Sequence, residues 1–177
     1  MKTTQFLFSG FGGQGILFSG KVLAYKGLIE DKQVSWLPSY GPEMRGGTAS
    51  CSVIVSDGAV GSPIVSKPDV LVAMNLPSLD KFESSVVPGG MIFADSTLIE
   101  RKVARTDVKA FYVPATKLAA DNGIPTLANM ILLGKILKEL GEFTPEGVEA
   151  ALKKVISAKH ADMLEVNLNA LRLGASL

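Results

Sequence analysis

"TQFLFSGFGGQGILFSGKVLAYKGLIE" occupies residues 4–30, and its reading decides the fold expected of the chain. The apolar run Thr4–Phe8 reads as a buried strand. From Ile16 to Glu30 apolar residues recur at helical spacing: Ile16, Leu17, Val22, Leu23, Leu28 and Ile29. Between the two, Gly10, Gly12 and Gly15 satisfy G-x-G-x-x-G, with a strand before and a helix after. Strand, glycine turn and helix in that order are the opening unit of an α/β fold.

The rest of the chain continues that alternation. "QVSW" predicts a second strand ending near Trp36, and "TASCSVIVS", Thr48–Ser56, a third, with Asp57–Gly58 as a hairpin signal. "DVLVAM" (Asp69–Met74) and "GMIFAD" (Gly90–Asp95) are short apolar runs bounded by turn residues, the pattern of central parallel strands. "PSLDKFESSV" between them suits a short helix. "KAFYVPA" offers another strand, ended by Pro114, and "TKLAADNG" a short helix closed by Gly123. From Thr126 the chain reads as helical. "LANMILLGKILKEL" is strongly apolar, and its stripe from Leu127 to Leu140 reads as core. "TPEGVEAALKKVIS" opens on a cap at Thr144 with Pro145 in the first turn, and "ADMLEVNLNALRLG" is stopped by Gly174. The expectation is one domain over residues 1–177: α/β, with a mainly parallel central sheet, a glycine-rich strand-to-helix turn near the N-terminus and a helical C-terminal third.

Composition narrows the function. The chain has 177 residues, 47% of them hydrophobic, and a formal charge of +1. Its mean hydropathy is +0.29. That richness suits strands buried on both faces or a large partner surface. No long run of one charge asks for nucleic acid or an anionic membrane. No stretch of about 18 apolar residues predicts a transmembrane helix, and "MKTTQFLFSG" is too short for a signal peptide. The single cysteine, Cys51, makes neither an internal disulfide nor an iron–sulfur site, and it suits a reducing, cytoplasmic setting as a buried, inert thiol. The single histidine, His160, falls at a helix start and reads as structural or exposed, so no histidine-based catalytic or metal constellation is expected.

The glycine turn has three readings. A dinucleotide site would use the glycines for close backbone approach and the helix start for the pyrophosphate. It also wants a carboxylate at the end of the second strand, where this chain has "SWLPS". A turn that approaches another phosphate or a partner's backbone needs no such carboxylate. The third reading is a tight turn without a ligand. Gln14 is expected at a solvent-facing point of the turn, able to donate and accept, and Gly13 is one glycine more than the turn requires.

A second glycine-rich segment follows, "SYGPEMRGG" from Ser39 to Gly47. Gly41–Pro42 is a turn signal, and Gly46–Gly47 frees the backbone beyond Arg45. Arg45 offers a planar fork for a carboxylate or phosphate, and Tyr40 a large amphipathic ring. One reading is a plain surface loop with Arg45 paired to Glu43 or solvent. The other is a recognition loop beside the first glycine turn, both following neighbouring strands to the carboxyl edge of the sheet. Asn75 and the Asp95–Ser96–Thr97 cluster end strands at that edge, as caps or as ligand contacts.

"GFGGQGILFSGKVLA" followed by "SYGPEMRGGTASCSVIVS" resembles the gamma subunit of 2-oxoacid:ferredoxin oxidoreductases and the matching domain of single-chain pyruvate:ferredoxin oxidoreductases. The resemblance runs on through "DVLVAMN", Gly89–Gly90 with "FADST", and "NLNALRLG". It implies a cytoplasmic complex that oxidatively decarboxylates a 2-oxoacid to its acyl-CoA and passes electrons to ferredoxin. Thiamine diphosphate, magnesium, iron–sulfur clusters and coenzyme A would be held through alpha, beta and delta subunits. No cofactor is expected tightly bound to this chain, and no catalytic or metal residue. The gamma unit would complete the assembly and the coenzyme A access region.

By the same resemblance Gly10, Gly12, Gly13, Gln14 and Gly15 match one motif. Ser39, Tyr40, Gly41, Pro42, Arg45, Gly46 and Gly47 match the other. Gly12, Gly13, Gln14 and Arg45 are candidates for the coenzyme A edge. Tyr40, Gly41, Pro42, Glu43, Arg45, Gly46 and Gly47 are candidates for the subunit interface. The second segment resembles the 2-oxoglutarate and branched-chain types more than the pyruvate types. The alternatives are a free-standing nucleotide-binding protein and the equivalent subunit of an indolepyruvate oxidoreductase. Isolated from its partners, such a chain is expected to be inactive and to self-associate through the surface meant for them.

Overall fold

The computed structural model describes residues 2–39 and 48–177. Among these residues six strands form one sheet: β1 (Thr3–Phe11), β2 (Gln33–Ser39), β3 (Thr48–Ser56), β4 (Val70–Ala73), β5 (Met91–Asp95) and β6 (Lys109–Val113). Their order across the sheet is β2-β3-β1-β4-β5-β6. The pairs β1–β4, β4–β5 and β5–β6 are parallel. β3 runs against both of its neighbours, β1 and β2. β2 therefore points the same way as β1, and five strands end at one edge.

Alternation along the strands explains why both faces are buried. Phe6, Phe8, Val70, Val72 and Phe93 point to one face; Leu7, Leu71, Ala73, Ile92 and Ala94 point to the other. The first face is covered by α1 (Ile16–Ile29), α3 (Ala115–Asp121), α4 (Ala128–Glu139), α5 (Pro145–Val155) and α6 (Met163–Ala175). The second is covered by α2 (Leu76–Phe82) through Leu79 and by Val65, Val86 and Ile99 from the connections. The apolar richness of the sequence is used in this way, strand by strand.

Five local expectations are corrected. β1 extends to Phe11, so Gly10 lies inside a strand and only Gly12–Gly15 make the turn. β2 continues past Trp36 to Ser39. Asp57–Gly58 is no hairpin, because no strand returns alongside; the Asp57 carboxylate instead accepts from the Lys2 N–H at 2.8 Å and from Lys32 Nζ at 2.5 Å. Thr144 occupies the cap position of α5, but its hydroxyl makes no capping bond.

Gly174 does not stop α6; it lies inside it. A Cβ at Gly174 would collide with the carbonyl oxygen of Ile131, and one at Gly134 with that of Leu171. α4 and α6 therefore cross at van der Waals contact of their backbones, and each needs its glycine there. The crossing buries Met130, Ile131, Leu133, Leu168 and Leu171. The stripe along α4 is core, as its spacing predicts.

Candidate functional site

The glycine turn sits at the carboxyl edge, between the end of β1 and the start of α1. Gly13 and Gly15 have φ of +91° and +75°, conformations that L side chains rarely adopt. Gln14 holds the turn together. Its backbone N–H donates to the Phe11 carbonyl at 3.3 Å. Its Oε1 accepts from the Phe11 N–H at 2.6 Å, and its Nε2 donates to the Met74 carbonyl at 3.0 Å. The side chain thus ties the end of β1 to the end of β4.

This overturns the expected solvent-facing placement of Gln14: it is half-buried, and both ends of its amide are engaged. Gly10 is explained by the same brace. A Cβ there would lie 2.5 Å from Gln14 Oε1 and 2.7 Å from Ile16 Cδ1. Gly12 and Gly13 remain exposed.

Beneath the turn lies a buried polar core that the sequence reading missed. Ser9 Oγ donates to the Ala49 carbonyl at 3.1 Å and lies 3.0 Å from Ser78 Oγ. Both serines are fully buried. The available signal was a hydroxyl inside the apolar run "FLFSGF". On the other side, Asn129 of α4 covers Gly15 and donates from Nδ2 to the Gly15 carbonyl at 3.0 Å.

The ambiguous edge residues are caps. Asn75 Oδ1 accepts from the Ser78 N–H at 2.9 Å at the start of α2. The buried Asp95 carboxylate accepts from the N–H groups of Thr97 (3.0 Å) and Thr116 (3.1 Å) and from the Thr116 hydroxyl (2.5 Å). Thr97 Oγ1 accepts from the Lys117 N–H at 3.1 Å. These side chains fasten the edge from inside.

Among the described residues, the edge also presents three apolar side chains outward. Ser9, Ala73 and Ala94 are level in the register. Phe11, Leu76 and Leu98 follow them within a few residues, and all three are about two-fifths exposed. They cross three adjacent strands, a span of roughly 10 Å.

Tyr40, Gly41, Pro42, Glu43, Arg45, Gly46 and Gly47 lie outside the described residues. Their flanks are placed. Ser39 stands opposite Ser50, and Thr48 opposite Phe11, so the segment begins and ends at the edge that carries the glycine turn. The expectation that β1 and β2 are neighbours fails, since β3 lies between them. A carboxylate at the end of β2 would stand two strands away from the glycine turn. That geometry speaks against a dinucleotide site.

Cys51 is fully buried in β3. Desolvation pushes its thiol from 9.0 up to about 12, against a smaller opposing contribution from a hydrogen bond with Trp36. It is an inert thiol. His160 is exposed in a short turn before α6. Among the described residues no three His, Cys, Asp or Glu side chains come together as a metal site. None of the helices there is long and apolar enough to cross a membrane.

The family model for pyruvate ferredoxin/flavodoxin oxidoreductase matches residues 5–177. The chain is 43% identical over 169 residues to ketoisovalerate oxidoreductase subunit VorA of Methanothermobacter thermautotrophicus, which covers 94% of this chain and 35% of that subunit. It is 34% identical over 147 residues to 2-oxoglutarate synthase subunit KorC of Methanocaldococcus jannaschii, 81% of this chain and 79% of that one. The gamma subunit of a keto/oxoacid ferredoxin oxidoreductase from Geobacter sulfurreducens has the same fold, with a TM-score of 0.83, 29% identity, and 98% and 96% of the two chains covered. The chain belongs to the pyruvate ferredoxin/flavodoxin oxidoreductase family.

Proposed function

We propose that this chain is the gamma-type component of a multi-subunit 2-oxoacid:ferredoxin oxidoreductase in the cytoplasm. The observation that carries the reading is the match of the family model to residues 5–177, together with relatives named as subunits of ketoisovalerate and 2-oxoglutarate enzymes. Alpha, beta and delta subunits would be its partners, with ferredoxin as the electron acceptor of the complex. Thiamine diphosphate, held with magnesium by those partners, supplies the carbanion chemistry of decarboxylation, and iron–sulfur clusters carry the electrons.

This chain's own residues bind and orient. Gly12 and Gly13 leave the backbone open to close approach at the carboxyl edge. Gln14 keeps that backbone in place from below, so its part is positioning. From the segment Tyr40–Gly47, Tyr40 would serve as an interface anchor and Arg45 as the contact for an anion: a phosphate of coenzyme A or a carboxylate of a sister subunit. The missing carboxylate beside the glycine turn weighs against a free-standing dinucleotide-binding protein.

The test is a pull-down of the tagged chain from its native extract. The eluate is assayed for thiamine diphosphate, iron and 2-oxoacid- and coenzyme A-dependent reduction of a viologen dye, with 2-oxoisovalerate and 2-oxoglutarate as the first substrates. Co-eluting subunits with that activity are expected. A chain that elutes alone and is stabilised by a dinucleotide would overturn the reading.

A further inference from the structure

The sheet ends on β6, which pairs with β5 alone among the described residues. Its backbone groups alternate in direction. The Lys109 N–H donates to the Gly90 carbonyl at 2.9 Å, and the Val113 carbonyl accepts from the Ser96 N–H at 2.9 Å. In a parallel pair alternate residues turn both of their backbone groups to the neighbour, here Lys109, Phe111 and Val113. Ala110 and Tyr112 turn theirs away, so two N–H and two carbonyl groups face outward along the edge. Beside them lies a cleft of about 430 Å³, lined by residues 110–114 with Lys135 and Leu177. Room for a further strand thus adjoins the groups that would bind it.

Each face of this edge carries a cation. On the second face, Lys102 Nζ lies 3.9 Å from the centre of the half-buried Tyr112 ring, whose hydroxyl accepts from the Val103 N–H at 3.0 Å. On the first face, alternation puts Lys109 in line with Phe111 and Val113. Lys102 and Lys109 are exposed, and neither makes an ion pair among the described residues. The carboxylates of Asp107 and Glu139 are already engaged, by Arg105 at 2.6 Å and by Lys135.

Those charges choose between occupants. A second copy across a two-fold axis would pair Ala110 with Tyr112 and bring Lys102 and Lys109 of both copies to one seam. Like charges across a strand pair oppose that arrangement. A strand that carries carboxylates meets the same cations favourably. Shortness, Lys109 and Pro114 are also means by which an edge is kept from pairing, but protection alone requires no cleft along the strand.

We propose that the β6 edge docks an extended, acidic segment of a partner protein. The segment adds a strand to the sheet through the backbone of Ala110 and Tyr112. It sets one carboxylate against Lys102 on the second face and another against Lys109 on the first, with apolar side chains over Phe111 and Val113. The site uses none of the residues of the glycine turn and does not depend on the gamma-component reading.

The test is a titration of the full ¹⁵N-labelled chain with the end-capped peptide Thr-Val-Glu-Val-Thr-Glu-Thr. Laid antiparallel to β6, it places its glutamates beside Tyr112 and Lys109. Versions with lysine or serine in place of both glutamates are the comparisons. The acidic peptide is expected to saturate the shifts of the Ala110 and Tyr112 amides in the millimolar range and to slow their hydrogen exchange. It should bind about fivefold tighter than the serine version, as two exposed ion pairs allow. The double variant Lys102→Glu, Lys109→Glu, altered only at exposed side chains, should reverse the order so that the lysine peptide binds best. Ala110→Pro removes an N–H that points away from β5 and should abolish binding with little change in melting temperature. Equal binding of the three peptides would show an apolar groove without charge recognition. Absence of saturation would show an edge that is only protected. Shifts of the same amides with protein concentration alone would show a second copy as the occupant. Each of these results overturns the proposal, whatever the pull-down of the complex yields.

Discussion

The α4–α6 crossing gives the sharpest test of the fold. Gly134→Ala places a methyl group against the Leu171 carbonyl, and Gly174→Ala places one against the Ile131 carbonyl, both far inside the 3.0 Å that real Cβ contacts respect. The obstacle in each case is helix backbone, which cannot rotate away. The helices must move apart, and the side chains around the crossing, Met130, Ile131, Leu133, Leu168 and Leu171, lose contact together. Overpacking of this kind costs about 1–3 kcal/mol, and a backbone obstacle belongs at the upper end. Alanine returns about 1 kcal/mol of helix propensity over glycine. The net loss is about 2 kcal/mol per single variant, or about 4–8 °C in melting temperature for a chain of this size.

One separation of the helices admits both methyl groups. The double variant is therefore expected to be no worse than the worse single, with a coupling of about 2 kcal/mol instead of additivity. Gly147→Ala in α5 is the control. Its Cβ would meet side chains alone, the rotatable Thr144 hydroxyl at 2.5 Å and Glu30 Oε1 at 3.5 Å, and its melting temperature should hold or rise. Calorimetric melting of the four variants decides the matter. A rise in melting temperature for Gly134→Ala, as at an open helical site, would refute the close crossing.

Gln14→Leu keeps the side-chain volume but removes both bonds of the brace, to Phe11 and Met74. The urea midpoint should fall by an amount equivalent to about 1–2 kcal/mol, and an unchanged midpoint would sink the assigned role. Asp95→Asn leaves one acceptor oxygen for three donors of Thr97 and Thr116. It should cost about 1.5–3 kcal/mol and speed hydrogen exchange at the start of α3 first; uniform exchange would contradict a local cap.

Cys51 adds a pH dependence. Its folded-state thiol stays protonated up to about 12, while in the unfolded chain it ionises near 9.0. Above pH 9 the unfolded state binds fewer protons, so this group makes stability fall with rising pH, by about 1.4 kcal/mol per unit. The stability gap between the native chain and Cys51→Ala should shrink by about 1.4 kcal/mol from pH 7 to pH 10, which urea titrations at the two pH values would measure.

How much of this was legible in the sequence depends on where the information lies. Strands β3 to β6 and helices α1 and α4 declare themselves through local patterning, because each is a continuous apolar or periodic segment set off by turn residues. The position of β3 between β1 and β2 does not. An antiparallel insertion changes the order of strands without changing the composition of any of them, so two strands that read as neighbours are separated. The same limit applies to Gly174. A glycine near the end of a helix reads as a stop on local grounds, and only a second helix 40 residues away shows that it is a contact. Asn75 and Asp95 both read as caps or as ligand contacts; the cap partner of Asn75, Ser78, is only three residues on, whereas part of the role of Asp95 falls on Thr116, in another element.

Gln14 carries that contrast into the site itself. From the sequence it is a polar residue among glycines, which invites a role toward a ligand. Its real partners are Phe11, three residues away, and Met74, sixty residues away just past the end of β4, a strand whose adjacency to β1 is a property of the whole sheet. Once that amide is engaged internally, the turn has only backbone to offer outward, at Gly12 and Gly13, flanked by the exposed rings and methyl groups of Phe11, Leu76 and Leu98. Among the described residues, the surface around Gly12 and Gly13 is bare backbone and apolar side chains, with no carboxylate for a ribose. It is well made for the close approach of another protein surface. Gly13 and Gly15 are explained by their positive φ and Gln14 by the need to hold the turn still; under the proposed function, the exposed backbone at Gly12 and Gly13 is where a partner surface would come near.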